Sequence, residues 1–580
     1  MSELDYKAEY KRWTEEPSID AETRAELAAI AENPDEIKQR FISYLSFGTA
    51  GLRGTMNAGT NAMNVYTVAH ATQGMATLIK EKGAEAMQRG VVIAHDCRIH
   101  ARTFAETAAE VLCANGIKVY LFDALRPTPV LSYAIGALHC IAGINITASH
   151  NPKEYNGYKA YWEDGAQISP EQAKIVSAAI DATDIFRGVK RMPLADACSD
   201  GICEIVGDAI DQSYLKEVER QLVDPAVVRA SADELSIIYT PLHGTGHKLV
   251  PEILSRIGVK KLYTVPQQMV IDGSFPTVSF PNPEYPEVFT LGIEMANQVG
   301  SDLIIATDPD ADRVGVMAKG KDGAFHTLTG NQMGVLLLDY IITSLKRQNK
   351  LPAHAYAIKS IVSTEMATKV CEANGVTMFQ TFTGFKYIGE KILEQQNAGN
   401  KDGYLLGFEE SYGYLRGDYA KDKDAVVTTM LIVEMAAYYR TRKMTLIDAM
   451  ETMYETYGCY RDGIANIYMK GLQGLADMKA LMKHLRQTPP KTIGGKQVIR
   501  FTDYLAQTVR DITTGSESPT GMESSDVLSF VTDAGDTIVI RPSGTEPKIK
   551  IYLLVSGATK EEADEKQEAY KKDALSWTER

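Results

Sequence analysis

Short apolar runs rich in β-branched residues recur along the chain, and each ends in a loop of Gly, Asp, Ser or Arg that a helical pattern follows. Such runs occupy residues 90–94, 235–239, 302–306 and 403–406. Apolar runs of this length without alternation are typical of strands buried on both faces of a sheet. Strands that alternate with helices predict parallel sheets in α/β domains, where ligands gather at the carboxyl ends of the strands.

Two regions depart from this alternation. Near the amino terminus, residues 23–30 and 36–45 have helical patterns that Pro34 interrupts. Near the carboxyl terminus, apolar runs at 537–540 and 549–555 bracket a turn-rich loop, and a charged helical pattern follows them. The carboxyl-terminal pattern predicts a smaller α+β domain.

Length and composition narrow the class of protein. A chain of 580 residues is too long for one hydrophobic core and predicts about four domains. The net charge of −14 argues against a nucleic-acid-binding surface, so clusters of Arg and Lys are expected to bind smaller anions such as a metabolite phosphate. The seven cysteines are scattered, which indicates reduced thiols, and no apolar run is long enough for a membrane span. We therefore expect a cytoplasmic protein that binds neither nucleic acid nor membranes.

Ser149 follows an apolar run at 138–146 that is expected to be a buried strand. Pro152 removes a donor, fixes its own φ and biases Asn151 away from helix, so the loop should hold a defined shape. A hydroxyl presented at the carboxyl end of a strand, with His150 beside it, suits a covalent nucleophile. An ordinary Ser/Asn/Pro turn has the same composition, so this interpretation depends on chemistry elsewhere in the chain.

Three aspartates, Asp308, Asp310 and Asp312, come directly after the predicted strand at 302–306. Carboxylates at alternate positions fall on one side of an extended or looped segment, so three hard oxygen ligands can converge on one cation. The segment lacks the glycine of an EF-hand calcium loop and follows a strand rather than a helix. The alternative is an acidic surface turn, but three close carboxylates repel one another unless a cation or a cationic side chain lies among them. We therefore predict a magnesium site.

The loop at 541–548 has the composition of a phosphate cradle. Arg541 supplies a fork of donors, Ser543 and Thr545 add hydroxyls, and Gly544 lets backbone N–H groups approach an anion closely. The spacing of a Walker loop is absent. A hairpin turn has the same composition, so this loop also needs support from the other motifs.

Two more polar loops carry groups suited to a sugar phosphate. Residues 47–54 combine glycines with Arg53, which suits the holding of a phosphate or of a nucleophile loop, although a plain glycine-rich connector has the same composition. Glu409, Glu410 and Ser411 give adjacent acceptors for sugar hydroxyls, although paired glutamates also occur on solvated faces.

Together, five motifs resemble those of the α-D-phosphohexomutase family. They are Gly-Thr-Ala-Gly-Leu-Arg (48–53), Thr-Ala-Ser-His-Asn-Pro (147–152), Asp-Pro-Asp-Ala-Asp-Arg (308–313), Gly-Phe-Glu-Glu-Ser (407–411) and Arg-Pro-Ser-Gly-Thr-Glu-Pro (541–547). The motifs occur in the order of the family, and the resemblance covers nearly the whole chain.

The resemblance implies an α/β fold of four domains in a heart-shaped arrangement. Three related α/β domains with mixed sheets would be followed by a C-terminal α+β domain of the TATA-box-binding-protein-like type. The expected boundaries are 1–205 for the domain with the phosphoserine loop, 206–324 for that with the metal loop, 325–450 for that with the sugar-binding loop and 451–580 for that with the phosphate-binding loop. One loop from each domain would line a central cleft.

The resemblance also implies roles for individual residues. Ser149 would carry a phosphoryl group, and Asp308, Asp310 and Asp312 would hold one Mg²⁺ together with an oxygen of the phosphorylated Ser149. The candidate catalytic residues are Ser149, Arg53, His150, Lys159 and Lys423. The candidate substrate-binding residues are Arg313, Thr383, Gly384, Glu409, Ser411, Arg541, Ser543, Gly544 and Thr545. His150 is not assigned as the general base, because a histidine in this position equally suits loop stabilisation or phosphate contact.

The activity implied by the resemblance is an intramolecular phosphoryl transfer that interconverts α-D-glucose 1-phosphate and glucose 6-phosphate. Glucose 1,6-bisphosphate would serve as intermediate and activator. The Gly-Phe-Glu-Glu-Ser motif favours glucose over mannose, but the Asp-Pro-Asp-Ala-Asp-Arg motif is similar to a branch that includes phosphopentomutases, so mannose and pentose phosphates stay open. The only partner expected is a small-molecule sugar phosphate, bound by a monomer or a weak homodimer.

Two other classes of function use similar residues. A catalytically silent relative that binds sugar phosphate would need a damaged site, and none of the principal motif residues is missing. A two-zinc phosphatase would need histidine ligands, and the ten histidines of the chain show no such constellation.

Overall fold

The computed structural model of the protein describes residues 4–49, 51–469, 474–543 and 548–579. Within these ranges the chain forms three mixed α/β sheets followed by an antiparallel sheet with its own helices. Among the described helices, none combines the length and apolar character needed to cross a bilayer.

The first sheet is preceded by short helices and built around parallel strands. The preceding helices are α1 (Tyr6–Glu15), α2 (Ala21–Ala29) and α3 (Pro34–Phe41). The following elements are β1 (Leu52–Thr55), α4 (Val65–Glu81), α5 (Ala84–Arg89), β2 (Val91–His95), α6 (Ala101–Ala114), β3 (Val119–Phe122), α7 (Thr128–Ala137), β4 (Ala142–Ile146), β5 (Tyr155–Trp162), α8 (Pro170–Asp181), α9 (Leu194–Ser199) and β6 (Cys203–Val206). The strand order is β1-β5-β4-β2-β3-β6, and β5 runs antiparallel to both β1 and β4.

The second sheet also combines parallel strands with antiparallel strands at one edge. Its elements are α10 (Asp208–Glu219), α11 (Pro225–Ser231), β7 (Ser236–Thr240), α12 (Gly246–Arg256), β8 (Lys261–Thr264), α13 (Pro266–Met269), a 3₁₀ helix (Pro286–Phe289), α14 (Thr290–Val299), β9 (Leu303–Thr307), β10 (Val314–Lys319) and β11 (Phe325–Leu328). The strand order is β11-β10-β9-β7-β8, with β7, β8 and β9 parallel and β10 antiparallel to β9.

The third sheet is the smallest of the mixed sheets. Its elements are α15 (Gly330–Arg347), β12 (Tyr356–Ser360), α16 (Met366–Asn374), β13 (Thr377–Thr381), α17 (Phe385–Asn397), β14 (Tyr404–Glu409), β15 (Gly413–Leu415), α18 (Ala425–Arg440) and α19 (Leu446–Tyr457). The strand order is β13-β12-β14-β15, and only the last pair is antiparallel.

The fourth sheet is antiparallel between all of its paired strands. Its elements are β16 (Cys459–Tyr468), α20 (Gly474–Gln487), β17 (Thr492–Ile493), β18 (Lys496–Asp503), β19 (Thr508–Asp511), β20 (Glu517–Pro519), β21 (Leu528–Thr532), β22 (Thr537–Pro542), β23 (Lys548–Gly557), α21 (Lys560–Leu575) and a 3₁₀ helix (Ser576–Glu579). The strands β22 and β23 and the helix α21 confirm the α+β pattern predicted for this region.

The central strands β2, β4, β7, β9, β12 and β14 are buried along their whole lengths. Burial on both faces explains why their sequences read as continuous apolar runs rather than as alternating patterns. One apolar core extends from Phe122 through Tyr239 and Ile305 to Phe408, so the three mixed sheets and their helices pack against one another.

Three expectations about local structure are corrected. The helices expected directly after 302–306 and 403–406 are wrong, because the antiparallel strands β10 and β15 come first. The predicted strand at 138–146 begins only at Ala142, since Leu138 caps α7. Pro34 does not interrupt a helix but begins α3, where its missing N–H has no intrahelical acceptor to lose.

Candidate active site

Each mixed sheet contributes a polar loop between a parallel strand and the antiparallel strand that comes next in the chain. The loops join β4 to β5, β9 to β10 and β14 to β15. The first carries Ser149, the second carries Asp308 and the third carries Ser411. Backbone hydrogen bonds connect the three sheets here, since Thr128 N–H at the start of α7 donates to Asp310 O at 2.8 Å and Val314 N–H at the start of β10 donates to Tyr412 O at 3.1 Å.

Ser149 is buried at the centre of these loops. Its Oγ donates to Asp308 Oδ2 at 2.8 Å and lies 3.2 Å from His150 Nδ1. Its N–H donates to Thr147 Oγ1 at 2.8 Å. The φ of Ser149 is 52°, a left-handed conformation that costs a non-glycine residue about 1–3 kcal/mol. The surrounding contacts therefore hold the backbone of Ser149 in a strained conformation that fixes the position of its hydroxyl group.

The three aspartates converge as the sequence predicted. Each offers one carboxylate oxygen, and these oxygens lie within 4.8 Å of one another. Asp308 Oδ1 accepts from the N–H groups of Asp312 and Arg313 at 3.1 and 3.0 Å, which closes the turn. In the described part of the chain, the buried Oδ1 atoms of Asp310 and Asp312 have no hydrogen-bond donor. Buried carboxylate oxygens that accept no hydrogen bond fit a hard cation such as Mg²⁺.

Two lysines balance part of this negative charge. Lys159 Nζ lies 2.8 Å from Asp310 Oδ2 and 3.3 Å from Asp312 Oδ2. Lys423 Nζ lies 3.2 Å from Asp312 Oδ2 and 3.1 Å from Asp422 Oδ1. The strand register explains one of these positions, because Lys159 on β5 pairs directly with Asn145 on β4, just before the Ser149 loop.

The charges of these groups shift one another's pKa values. Burial alone would lower the pKa of both lysines, but Asp310 and Asp312 raise it for Lys159, and Asp312, Asp422 and Glu409 raise it for Lys423. Burial and the charges of Asp310 and Asp312 raise the pKa of Asp308 well above its usual range. A cation among the carboxylates would relieve this repulsion.

Two arginines lie beside these loops. Arg53 is on β1, directly after the glycine-rich segment, and its Nη1 donates to Asn151 Oδ1 of the Ser149 loop at 3.2 Å. Arg313 Nη1 donates to Glu284 Oε1 at 2.8 Å, and an isolated antiparallel bridge joins its backbone to Gly413. Both residues predicted from the sequence therefore lie at the junction of the loops.

His150 is held mainly as a neutral imidazole. Burial and the charges of Arg313 and Arg53 lower the pKa of His150 well below its ordinary value. Because Ser149 Oγ donates its one proton to Asp308, a hydrogen bond with His150 requires the tautomer that carries its proton on Nδ1, and this neutral ring adds no positive charge to the cleft.

The residues predicted to bind sugar lie at the ends of β13 and β14. The N–H of Gly384 donates to Glu409 Oε1 at 2.6 Å, which joins two of the predicted positions. Thr383 and Arg541 line one small cavity of about 90 Å³ between the third and fourth sheets. Ser411 follows β14 in the loop itself.

The predicted phosphate cradle is only partly within the described ranges. The N–H of Ser543 donates to Lys548 O at 2.7 Å, directly after β22. Gly544 and Thr545 lie outside the described residues.

The sequence analysis did not identify the buried residues that hydrogen-bond to Asp310 and to the backbone of the Ser149 loop. Thr128 Oγ1 donates to Asp310 Oδ2 at 2.7 Å and accepts from Asn145 Nδ2 at 2.8 Å. Arg98 is buried and donates to backbone carbonyl groups of the Ser149 loop. Their positions in the chain were the available signal. Asn145 lies on β4, Arg98 lies in the loop after β2, and Thr128 begins α7.

Comparison with protein-family models identifies the three mixed-sheet regions. Residues 44–185, 212–321 and 329–457 match the alpha/beta/alpha domains I, II and III of the phosphoglucomutase/phosphomannomutase family. The phosphoglucomutase of Staphylococcus aureus strain MRSA252 is 35% identical over 524 residues, which cover 90% of this chain and 92% of the relative. The phosphoglucomutase of Staphylococcus haemolyticus is 34% identical over 523 residues, with the same coverage.

Solved structures share the fold. The open form of parafusin, a phosphoglucomutase from Paramecium, has a TM-score of 0.68 at 17% identity and covers 93% of this chain and 97% of its own. The N-acetylphosphoglucosamine mutase of Aspergillus fumigatus, in complex with GlcNAc-6P and magnesium, has a TM-score of 0.53 at 13% identity and covers 97% and 100%.

The fold, the converging loops and these relatives place the chain in the α-D-phosphohexomutase family. It is an enzyme of the isomerase class that moves a phosphoryl group within a sugar phosphate.

Proposed function

We propose that the enzyme is a phosphoglucomutase that interconverts α-D-glucose 1-phosphate and glucose 6-phosphate. The single observation that carries the proposal is the 2.8 Å hydrogen bond from Ser149 Oγ to Asp308 within a buried carboxylate triad. This contact puts a hydroxyl group beside the carboxylate cluster that Lys159 and Lys423 also contact, and phosphoryl transfer requires a nucleophile close to such neutralising charges. The phosphoglucomutases of two Staphylococcus species support glucose as the sugar.

One Mg²⁺ per chain would bind at Asp308, Asp310 and Asp312, together with a phosphoryl oxygen on Ser149. The Oδ1 atoms of Asp310 and Asp312, which are buried and accept no hydrogen bond in the described part of the chain, support this assignment. When bound, Mg²⁺ supplies positive charge for the phosphoryl oxygens. Magnesium in the complex of the Aspergillus fumigatus relative is consistent with this choice.

The residues of the chain supply the rest of the phosphoryl site. Lys159 and Lys423 bring ammonium groups to the triad, and Arg53 and Arg313 add guanidinium groups at the junction of the loops. Phosphoryl transfer depends chiefly on positioning and charge neutralisation, so these contacts account for most of what the reaction needs.

The sugar and its second phosphate would be held on the far side of the cleft. Glu409 and Ser411 would accept from sugar hydroxyl groups, beside the backbone of Thr383 and Gly384. Arg541 and Ser543, with Gly544 and Thr545, would bind the phosphate that is not transferred. The cavity shared by Thr383 and Arg541 supports this pairing of the third and fourth sheets.

The reaction would use a phosphorylated Ser149. The bond between phosphorus and Ser149 Oγ breaks as a bond forms to the oxygen of the free sugar hydroxyl, and the proton of that hydroxyl is balanced by the proton on the released serine. The product, glucose 1,6-bisphosphate, would rotate end over end in the cleft and return its other phosphoryl group to Ser149. Added glucose 1,6-bisphosphate would activate an enzyme that has lost its phosphate.

We also propose domain boundaries at 1–205, 206–324, 325–450 and 451–580. Each of these ranges contains most of one sheet, although β11 (Phe325–Leu328), which pairs with β10 of the second sheet, falls in the third range, and the last residue of β6 falls in the second. The cytoplasmic location and the monomeric or weakly dimeric state expected from the sequence belong to the same proposal.

The decisive experiment compares Ser149→Ala with wild type and with Ser199→Ala, which removes an exposed hydroxyl of α9. We expect an intact mass one phosphate higher on wild type and on Ser199→Ala, and loss of both the phosphate and the turnover of glucose 1-phosphate in Ser149→Ala. Normal turnover by Ser149→Ala would refute the scheme. Turnover of mannose 1-phosphate or ribose 1-phosphate above that of glucose 1-phosphate would reassign the sugar.

A further inference from the structure

Arg98 lies directly behind the Ser149 loop, in the turn that follows β2. Its side chain is fully buried and makes an ion pair with Asp96, Nε to Oδ2 at 3.3 Å, whose side chain is equally buried. Asp96 Oδ1 also accepts from the backbone N–H of Arg98 at 2.8 Å. The contacts with Asp96 therefore fix the orientation of the guanidinium group toward the Ser149 loop.

The guanidinium group donates to carbonyl groups along the whole Ser149 loop. Nη1 donates to Pro152 O at 2.8 Å and to Tyr155 O at 2.9 Å. Nη2 donates to Ser149 O at 2.6 Å and to Asn151 O. One side chain thus provides donors to carbonyl groups at the nucleophile and beyond it, up to the start of β5.

A segment next to the second sheet holds Arg98 from its other face. The guanidinium carbon lies 5.2 Å from the ring centroid of Phe275, in cation–π contact. The same segment passes very close to the turn, since a Cβ on Gly273 would lie 2.5 Å from Ile99 N. Arg98 therefore connects the segment that carries Phe275 to the loop that carries Ser149.

We propose that Arg98 is a positioning residue that sets the location of Ser149 Oγ for phosphoryl transfer. The inference rests on the proposed role of Ser149 and does not require Arg98 to touch the substrate. Transfer demands alignment of the attacking and leaving oxygens, so a displaced loop slows the chemical step more than it weakens sugar binding. A lysine cannot substitute, because its donors share one nitrogen and cannot reach carbonyl groups at both ends of the loop.

The test uses Arg98→Lys and Arg98→Ala in the full-length enzyme, with Arg102→Lys as matched control. Arg102 on α6 also donates to backbone carbonyl groups, those of Phe122 and Asp123 at 3.0 Å, but lies partly exposed on the far side of the turn. For both Arg98 variants we expect kcat with glucose 1-phosphate to fall ~100-fold while KM stays within about twofold. Added guanidinium at non-denaturing concentration should restore part of the activity of Arg98→Ala, which a purely structural defect would not allow.

The outcomes separate this inference from the proposed function. Wild-type kcat in Arg98→Lys, an equal loss in Arg102→Lys, or no rescue of a folded Arg98→Ala would overturn the role of Arg98 while Ser149 still carries phosphate. If wild type carries no phosphate on Ser149 and Ser149→Ala turns over normally, the proposed function fails and this inference fails with it.

A second variant covers the case in which neither Arg98 variant folds. Phe275→Leu keeps an apolar side chain but loses the ring that faces the guanidinium group. We expect a several-fold lower kcat with KM unchanged, since the cation–π contact is one of several that hold Arg98. Unchanged kcat in this variant, with circular dichroism like that of wild type, would count against the inference.

Discussion

Ser149 has the backbone conformation of a residue that should be glycine or asparagine, with φ at 52°. Side chains with a Cβ rarely adopt this conformation because the Cβ crowds the following carbonyl oxygen. A serine in this strained backbone conformation is expected where the hydroxyl group itself is needed.

This strain predicts an order of stability among inactive variants. Ser149→Gly and Ser149→Ala both lack the hydroxyl group and should be inactive, but the glycine variant should be more stable by about 1 kcal/mol because alanine is strained at positive φ. Calorimetric melting of the two variants measures the difference. At Ser177, within helix α8, the same pair should show the reverse order, since glycine costs about 1 kcal/mol relative to alanine inside a helix. An alanine variant at position 149 as stable as the glycine variant would contradict the prediction.

The residues of the site differ in whether their roles can be predicted from the sequence. The three aspartates were predictable, because their spacing alone brings their oxygens together, and the structure confirms the cluster. Thr128 and Arg98 were not, because their chemistry depends on partners distant in sequence. Thr128 and Asp310 are 182 positions apart, and no local pattern marks a threonine that will meet a carboxylate of another domain.

At the level of elements, the three mixed sheets share one feature, a polar loop between a parallel strand and the antiparallel strand that follows it. The sequence predicted the parallel strands, since β9 and β14 are buried throughout and read as apolar runs. It did not predict the antiparallel strands, because β15 spans only Gly413–Leu415 and is buried on both faces, so it shows no alternation. Turn residues alone could not show that the chain reverses into the same sheet.

Helix α7 supports the metal loop from the first domain. Its first residue, Thr128, contributes both an N–H and a hydroxyl group to Asp310. The amino end of a helix carries partial positive charge, which suits a carboxylate ligand. The position of Asp310 is therefore set by an element of another sheet.

We expect Thr128→Val to raise the Mg²⁺ concentration for half-maximal activity by about 10–100-fold, a range typical for loss of a group that orients a metal ligand. Valine keeps the shape of threonine but leaves Asp310 Oδ2 without this donor and Asn145 Nδ2 without its acceptor. Activity measured against Mg²⁺ concentration gives the value. Thr128→Ser keeps the hydroxyl group and should behave like wild type, so an equal effect of both changes would refute the role of the hydroxyl.

At the scale of the whole molecule, helix α18 holds the connection between the first two sheets. Glu434 on α18 is buried, and both of its oxygens accept from Val223 N–H at 3.0 Å, with a further bond from Asp224 N–H. Arg416 Nε donates to Gln221 O at 3.0 Å in the same region. The third domain thus fixes a segment that lies between the first and second.

This contact predicts a pH-dependent stability. Burial raises the pKa of Glu434 from 4.5 to about 7, although the two N–H groups and Arg416 oppose the shift. The folded state therefore retains a proton that the unfolded state releases, so the contribution of Glu434 to stability is greatest below pH 4.5 and is lost as the pH rises to 7. The total loss is about 3 kcal/mol.

Glu434→Gln should remove this dependence, because the amide oxygen still accepts from the N–H groups but does not ionise. We expect the variant to match wild type near pH 4.5 and to exceed it by up to about 3 kcal/mol at pH 8. Calorimetric melting over this range gives the comparison, with the exposed Glu294→Gln as control for the loss of one carboxylate. A constant difference between Glu434→Gln and wild type across the range would refute the prediction.

The backbone bonds from Thr128 to Asp310 and from Val314 to Tyr412 join the first three domains at the cleft itself. Three of its walls therefore share main-chain contacts, and separating any two of them would break hydrogen bonds beside the reacting groups. In the proposed mechanism, a bisphosphate that turns end over end would need free volume around it, and a bound sugar would need a way out. Because the first three domains are joined at the cleft, the proposal places both on the side of the fourth domain, so ligands would leave through the space in which the intermediate turns.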